Sequence, residues 1–117
     1  MSRPHLPPIT EAEFQTQFIQ YARLQGFLVA HFRTSRTQRQ DGSVFYETPV
    51  QADGRGFPDL VLTRPGRLVF VELKAERGRT SLDQDKWIDA LKDCGQEIYV
   101  FRPSMWKQIE TILGGGR

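Results

Sequence analysis

The sequence has few of the features that mark secreted, disulfide-bonded or membrane-spanning proteins. Cys94 is the only cysteine among 117 residues, which excludes an intramolecular disulfide and a zinc site built from cysteines. No apolar run approaches the length of a membrane helix, and the N-terminal segment MSRPHLPPIT lacks the apolar core of a signal peptide. We therefore expect a cytoplasmic protein with no membrane partner, and we expect Cys94 to lie in or near its core.

Charge of one sign is also scarce, because the net charge of +2 is too small to indicate a nucleic-acid partner by itself. The arginines are nevertheless concentrated in the middle of the chain: Arg33, Arg36, Arg39, Arg55, Arg64, Arg67, Arg77 and Arg79. The same segment holds the carboxylates described below, and this mixture suits a polyanion that carries phosphates. On charge alone, a solvated surface of salt bridges is an equally good explanation.

The length and composition indicate one globular domain over residues 1–117. Periodicity and capping residues predict a helix over 11–25, strands over 27–33, 59–64 and 68–74, a helix from 82 to 93, a strand over 97–102 and a last helix from 103 to 113. The second helix is expected to bury Leu82, Trp87, Ile88 and Leu91. This order predicts an α/β fold with a mixed four-stranded sheet flanked by helices.

Three further segments of the chain are predicted to lie outside these regular elements. Residues 1–8 read as a flexible lead-in and 114–117 as a frayed tail. Residues 36–54 form a long polar loop, within which 44–46 are expected to form a short strand or hairpin. A loop of this length in a small domain is either functional or disordered. A flap over a nucleic-acid strand and a plain surface excursion remain equal alternatives.

The segment 56–74, GFPDLVLTRPGRLVFVELK, combines two apolar strands with charged residues near their ends. Residues two apart in a strand point to the same side, so Glu72 and Lys74 share a face. Pairing of the strands about the turn at 64–67 would bring Asp59 near Glu72. Two carboxylates and an ammonium group at one place indicate a metal site with a cationic helper, and the alternative is an ordinary ion pair at the strand ends.

The first helix offers one more carboxylate for this site. Glu11 lies along the edge of the apolar stripe of that helix, whereas Glu13 lies on a more polar face and completes a capping box begun by Thr10. Glu11 is therefore expected to point toward the sheet, with Glu13 as the alternative. Either acid could instead serve only to complement the helix dipole.

Four blocks of the sequence, in order, carry a family resemblance: TEAEFQ, GFPD followed by VELK, RGRTSLDQ, and IYVFRP. Together they resemble the VRR-NUC family of the PD-(D/E)xK, or restriction-endonuclease-like, nuclease superfamily, and in particular its small stand-alone members from phages and bacteria. The resemblance covers residues 9–113. It implies a restriction-endonuclease-like core and cleavage of DNA phosphodiesters with Mg²⁺ or Mn²⁺, without an organic cofactor. It also implies a homodimer and, as in some relatives, action on four-way junctions.

The family pattern assigns catalytic roles to residues of this sequence: Glu11, Asp59, Glu72, Lys74 and Gln84. The implied metal ligands are Asp59, Glu72 and the backbone carbonyl of Leu73, with Glu11 holding a water or a second ion. Lys74 would orient the attacking water and stabilise charge on the phosphoryl oxygens. For Gln84 there is an equal alternative, the third residue of a capping box begun by Ser81.

Other polar and aromatic residues have less specific roles in this interpretation. Arg33, Ser35, Arg36, Arg77 and Arg79 are the candidate phosphate contacts. His31 is expected to be structural, although its neighbouring arginines leave a place in the site open. Trp87 and Trp106 stand at helical spacing with apolar residues, which favours packing over stacking on bases.

These observations together predict a Mg²⁺- or Mn²⁺-dependent DNA nuclease, and more specifically a structure-selective endonuclease for branched or four-way DNA. The runner-up is a non-catalytic DNA-binding or accessory module with the same fold. Cleavage of RNA is not excluded by any residue. The pattern leaves open whether one or two ions bind, and in which polarity the enzyme cuts.

Overall fold

The elements follow one another in the order that the sequence patterns predict. The computed structural model describes residues 9–32, 35–38, 40–47 and 50–115. Its elements are α1 (Glu11–Leu24), β1 (Leu28–His31), β2 (Ser35–Gln38), β3 (Val44–Glu47), β4 (Leu60–Arg64), β5 (Arg67–Leu73), α2 (Leu82–Asp93), β6 (Glu97–Phe101) and α3 (Trp106–Gly114), the last preceded by a 3₁₀ turn at Pro103–Met105. No helix of the described part of the chain is both long enough and apolar enough to span a membrane.

The main sheet has four strands, as predicted, and their order is β1-β4-β5-β6. Strand β4 is antiparallel to both β1 and β5, and β5 is parallel to β6. The antiparallel pair β4–β5 turns at Pro65-Gly66, where the glycine adopts φ 79°, a conformation that favours glycine. The parallel pair requires a crossover, which α2 supplies. The sheet is therefore mixed because one of its connections is a helix.

The main core lies between one face of this sheet and the helices α1 and α3. Alternate residues of β5 point into it, so Val69, Val71 and Leu73 are fully buried. The rest of this cluster comes from both helices and the neighbouring strands: Phe14, Phe18, Ala22, Phe27, Leu60, Leu62, Phe101, Ile109 and Leu113. Ile98, three residues before Phe101, points to the other face, where α2 packs and buries Ile88. Helices thus cover both faces of the sheet.

Two apolar residues lie outside the core, contrary to expectation. Leu82 is 87% exposed, so the buried side of α2 consists of Ile88 with the half-buried Trp87 and Leu91. Cys94 is exposed as well. Both stand at helix ends, Leu82 as the first residue of α2 and Cys94 as its C-cap, where a helical stripe no longer faces the sheet. Periodicity alone does not show where a helix runs past the sheet that it covers.

The segment 36–54 contains more regular structure than a long loop. Strands β2 and β3 pair antiparallel as a separate two-stranded sheet, with Ser35 opposite Glu47. Asp41 begins the turn, and its side chain accepts from the backbone N–H of Ser43 at 2.9 Å. The hairpin alternative is thus the one that holds.

The last helix extends one residue further than predicted. Gly114 ends α3, and the carbonyl of Gly115 accepts hydrogen bonds from Arg64 Nη2 at 2.6 Å and Arg67 Nη1 at 2.8 Å. Residues 116–117 and the predicted lead-in, 1–8, lie outside the described residues.

Candidate functional site

The pairing of β4 with β5 brings the two predicted carboxylates together. Leu60 is opposite Val71, which places Asp59, one residue earlier, opposite Glu72. The backbone carbonyl of Asp59 also accepts from the N–H of Phe32 at 2.7 Å, which joins the end of β1 to the same point. The strand register anticipated from the sequence is therefore correct, and it places both acids at one end of the sheet.

A cavity of about 300 Å³ opens at this end of the sheet. Its lining comes from α1, from α2 and from residues in or next to β1, β4 and β5: Glu11, Gln15, His31, Phe32, Asp59, Glu72, Lys74 and Gln84. All of the residues predicted to be catalytic are in this set. The structure thus collects, around one polar cavity, side chains that are as much as 73 residues apart in the chain.

Glu72 is the most deeply buried charged residue of the described chain, with 2% of its surface exposed. Its Oε2 accepts from Gln84 Nε2 at 3.0 Å and lies 3.8 Å from the ammonium group of Lys74. Its Oε1 is buried and has no hydrogen-bond donor among the described residues. Buried carboxylate oxygens are normally satisfied, so an oxygen without a donor indicates a partner from outside the chain, such as a cation.

The electrostatics of Glu72 agree with this interpretation. Burial first, and then the nearby Asp59 side chain, raise the pKa of Glu72 from 4.5 to about 9, against the opposing effect of Lys74. Without a cation, Glu72 therefore holds a proton at neutral pH. A bound cation would supply the positive charge that the pair lacks and would release that proton.

Gln84 combines the two alternatives that the sequence left open. Its side-chain oxygen accepts from the backbone N–H of Ser81 at 2.9 Å, and its backbone N–H donates to Ser81 Oγ at 3.1 Å, which completes the capping box of α2. The amide nitrogen of the same side chain donates to Glu72. One residue thus helps to cap α2 and also orients a carboxylate of the cavity.

Of the two acids on α1, Glu11 is the one that lines the cavity. Glu13 serves the cap instead: its backbone N–H donates to Thr10 Oγ1 at 3.1 Å, and the Thr10 hydroxyl donates to its carboxylate at 2.9 Å. The geometry therefore favours Glu11 over Glu13, as the position on the helix predicted.

The donor set fits a hard divalent cation better than zinc. Within the described ranges, no group of three or more histidine, cysteine, aspartate and glutamate side chains is arranged to hold a metal. A structural zinc site needs such a group, whereas Mg²⁺ uses one or two carboxylates and keeps several waters. Asp59 and Glu72 provide this smaller set. Leu73 is not among the lining residues, so its carbonyl as a third ligand stays a prediction.

Three lining residues were not assigned to the site from the sequence. Gln15 follows Glu11 by four residues, and this spacing on one helix face was the available signal. His31 ends β1 and Phe32 follows it, and the pairing of His31 with Leu60 places them beside Asp59. That pairing depends on how distant strands associate, which residue patterns within one strand do not show.

None of the predicted phosphate contacts that the structure describes lines the cavity. Arg77 and Arg79 lie in the exposed part of the loop between β5 and α2 and do not line it. Arg33 and the side chains of Ser35 and Arg36 lie outside the described part of the structure. A role in binding phosphates stays a prediction for all of them.

Arg64 and Arg67, at the β4–β5 turn, are bound to protein acceptors. Arg67 forms a bidentate pair with Glu97, through Nε and Nη2 at 2.9 Å each, which raises the pKa of Arg67 and lowers that of Glu97. Arg64 donates to the carbonyl of Gln25 at 2.8 Å, at the end of α1. With their bonds to Gly115, these arginines fasten the ends of two helices to the sheet.

The tryptophans pack as predicted. Trp87 donates from Nε1 to the Asp53 carbonyl at 2.9 Å, and its ring meets that of Phe57 edge-on at 5.0 Å. The ring of Trp106 meets that of Tyr21 edge-on at 5.5 Å. Both rings are thus engaged within the protein.

Comparison with known proteins gives one family match. The family model described as the VRR-NUC domain matches residues 20–105, which is most of the chain and includes β4, β5 and α2. Comparison with curated proteins and with solved structures gave no match.

Proposed function

The chain belongs to the VRR-NUC family, and from this membership we propose that it is a Mg²⁺- or Mn²⁺-dependent endonuclease that hydrolyses phosphodiester bonds in branched or four-way DNA. The mixed sheet flanked by helices is a restriction-endonuclease-like fold. The family gives the chain a nuclease-type role in DNA processing. The metal, the preference for branched DNA and a homodimeric state are the finer parts of the proposal.

One observation carries the proposal: a buried oxygen of Glu72 has no donor among the described residues, in a polar cavity beside Asp59 and Lys74. A structural carboxylate at a strand end would be paired through both oxygens or exposed to water. Glu72 is neither. A non-catalytic DNA-binding module would also gain nothing from placing buried carboxylates where phosphates must approach, because like charges repel.

Asp59 and Glu72 are the side chains that would hold the cation. When bound, such an ion polarises the scissile phosphate and lowers the pKa of water beside it. The protein's own part is to hold the two carboxylates together, which the β4–β5 register and the Gln84 amide accomplish. That scaffold keeps the two acids close together despite the repulsion between their negative charges.

Lys74 and Glu11 have complementary roles in this proposal. The Lys74 side chain is 17% exposed and lines the cavity, and its ammonium group lies 3.8 Å from Glu72 Oε2, so it can donate to a phosphoryl oxygen or a water. It offsets negative charge that grows on the phosphate as the bond breaks. Glu11 lines the same cavity from α1 and can accept a hydrogen bond from the attacking water.

The composition of the cavity supports recognition of the phosphate rather than the base. Among the lining residues that the structure describes, Phe32 is the one apolar side chain, so this part of the cavity offers little surface on which a base could stack. Selection of a substrate by its branching would then depend on surfaces outside the cavity. We propose that the DNA contacts outside the cavity come from the β2–β3 hairpin and from Arg33, Ser35, Arg36, Arg77 and Arg79.

The test is a cleavage panel with the full chain. Linear duplex, flap and four-way DNA, with matched RNA substrates, are incubated with Mg²⁺, with Mn²⁺ or with a chelator. We expect metal-dependent cutting, strongest on branched DNA, and its loss in Asp59→Asn and Glu72→Gln. The control is Asp89→Asn, which removes an exposed carboxylate from α2. Binding without cutting on every substrate would favour the accessory-module alternative, and cutting of RNA alone would replace DNA as the substrate.

A further inference from the structure

The glycine of the GFPD motif lies against the first turn of α2. Gly56 has φ 84°, a conformation in which a side chain is strained. A Cβ built on it would overlap the backbone carbonyl carbon of Asp83 and lie 2.5 Å from its oxygen and 2.6 Å from the backbone nitrogen of Gln84. These neighbours are backbone atoms, which cannot rotate aside. Any side chain at position 56 would therefore push the start of α2 away from the loop.

The same loop is tied to α2 at two further points. Trp87, one turn along the helix, donates from Nε1 to the carbonyl of Asp53 at 2.9 Å. Its ring also packs edge-on against Phe57, the residue after Gly56. Two residues further on is Asp59. The loop that leads to the first carboxylate and the helix that holds Gln84 thus share one closely packed contact.

From this contact we infer that Gly56 is a positioning residue: its lack of a side chain sets the depth at which α2 docks, and this depth places the Gln84 amide on Glu72. The inference rests on the proposed function, because it assigns to Gly56 an effect on the cation site. Gln84 Nε2 reaches Glu72 Oε2 at 3.0 Å, and the same side chain is held by Ser81 through its oxygen. If the start of α2 were displaced, Ser81 and the Gln84 side chain that it holds would move away from Glu72 together.

The expected size of the effect follows from how metal ligands depend on their neighbours. Groups that hydrogen-bond to a ligand fix its orientation, and removing them typically weakens metal binding or activity by about 10- to 100-fold. Gly56 acts on Glu72 only through Gln84, so its substitution should approach, and not exceed, the effect of removing the Gln84 amide.

The experiment measures Mn²⁺ binding to the full chain by titration calorimetry, without DNA. Gly56→Ala is expected to raise the dissociation constant by about 10- to 100-fold. The matched control is Gly66→Ala, because Gly66 also has positive φ, at 79°, but a Cβ there would meet nothing within 4 Å. The control shares the backbone strain and lacks the overlap, so it should bind Mn²⁺ as the wild type does. Equal binding by Gly56→Ala and the wild type would overturn the inference.

A double-variant cycle separates positioning from general damage to the fold. If Gly56 acts through Gln84, adding Gly56→Ala to Gln84→Ala leaves the Mn²⁺ affinity of the single Gln84→Ala variant unchanged. Independent, additive losses would contradict the inference. Ser81→Ala is a further check, since it removes the cap hydroxyl but keeps the Gln84–Glu72 bond, and we expect lower thermal stability with a smaller change in affinity.

Two other results have distinct meanings. If Gly56→Ala does not fold, the variant Trp87→Phe takes its place, because it removes the hydrogen bond to Asp53 without creating an overlap. The Mn²⁺ dissociation constant of Trp87→Phe should rise about fivefold, the equivalent of one hydrogen bond. An unchanged constant would overturn the inference. If the wild type itself neither binds Mn²⁺ nor cuts DNA, the proposed function fails. Wild-type binding together with normal binding by Gly56→Ala defeats only the role of Gly56.

Discussion

Replacing Glu72 by glutamine should stabilise the metal-free protein, and more strongly as the pH rises. The folded chain raises the pKa of this carboxyl from 4.5 to about 9, chiefly through burial. The folded state therefore binds the proton more tightly than the unfolded state does. The contribution of Glu72 to stability is complete below pH 4.5 and is lost progressively as the pH rises toward 9. Glutamine keeps the shape of the side chain and has no proton to lose.

The magnitude follows from the linkage relation. Each pH unit between the unfolded and folded pKa values costs the wild type about 1.4 kcal/mol in its free energy of unfolding. From pH 5 to pH 8 the difference between Glu72→Gln and the wild type should therefore grow by about 4 kcal/mol in favour of the variant. For a domain of this size that corresponds to roughly 15 °C in Tm.

Thermal unfolding in a chelating buffer at several pH values measures this difference. Glu110→Gln, which changes an exposed glutamate on α3, is the control and should follow the wild type at every pH. Adding Mn²⁺ at pH 8 should give the wild type the higher Tm, because the wild type is stabilised by binding an ion that Glu72→Gln binds poorly. A Tm difference that stayed constant from pH 5 to pH 8 would show that Glu72 does not hold a proton in the folded chain, and the interpretation of the cavity would then be wrong.

Further predictions concern the lysine and arginine side chains. Lys74→Ala should lower the cleavage rate by about 10²- to 10³-fold, the usual effect of removing one preorganised donor, with Tm nearly unchanged; Lys92→Ala, at the far end of α2, should cut normally in the same assay. Arg67→Ala should lower the free energy of unfolding by about 1.5–3 kcal/mol in denaturant titrations, because it breaks the pair with Glu97, while Mn²⁺ affinity stays at the wild-type value. Arg77→Ala should weaken DNA binding equally for all sequences and reduce the slope of log K against log salt by about 1; an unchanged slope would remove Arg77 from the DNA contacts.

Much of the fold and the centre of the site could be predicted because their signals are local. The alternation of apolar residues in VFVEL places Glu72 on the face opposite to Val71, and the Pro-Gly turn sets the register of β4 on β5. Those two signals were enough to predict that Asp59 lies beside Glu72. Glu11 could likewise be chosen over Glu13, because a helix of 3.6 residues per turn separates their directions.

What could not be predicted depends on partners that are distant in the chain. Arg64 and Arg67 have the same charge and composition signal as an arginine that binds phosphate, yet their acceptors are the carbonyls of Gln25 and Gly115 and the carboxylate of Glu97, between 30 and 51 residues away. Charge counting could not distinguish these cases. Arginines that already have protein acceptors contribute to stability, and this leaves fewer candidates for the substrate than the sequence suggested.

Gln84 shows why a local and a functional interpretation of one residue need not compete. A side-chain amide has an acceptor at one end and a donor at the other, so a capping box, which uses the oxygen, leaves the nitrogen available. Glutamate at this position would cap α2 equally well, but it has no donor and would add a third carboxylate beside Glu72 and Asp59. The choice of glutamine over glutamate therefore cannot be explained by helix capping alone. It is explained by the buried carboxylate that its nitrogen holds, and Gln84→Glu should accordingly keep the stability of α2 while it weakens Mn²⁺ binding and cleavage.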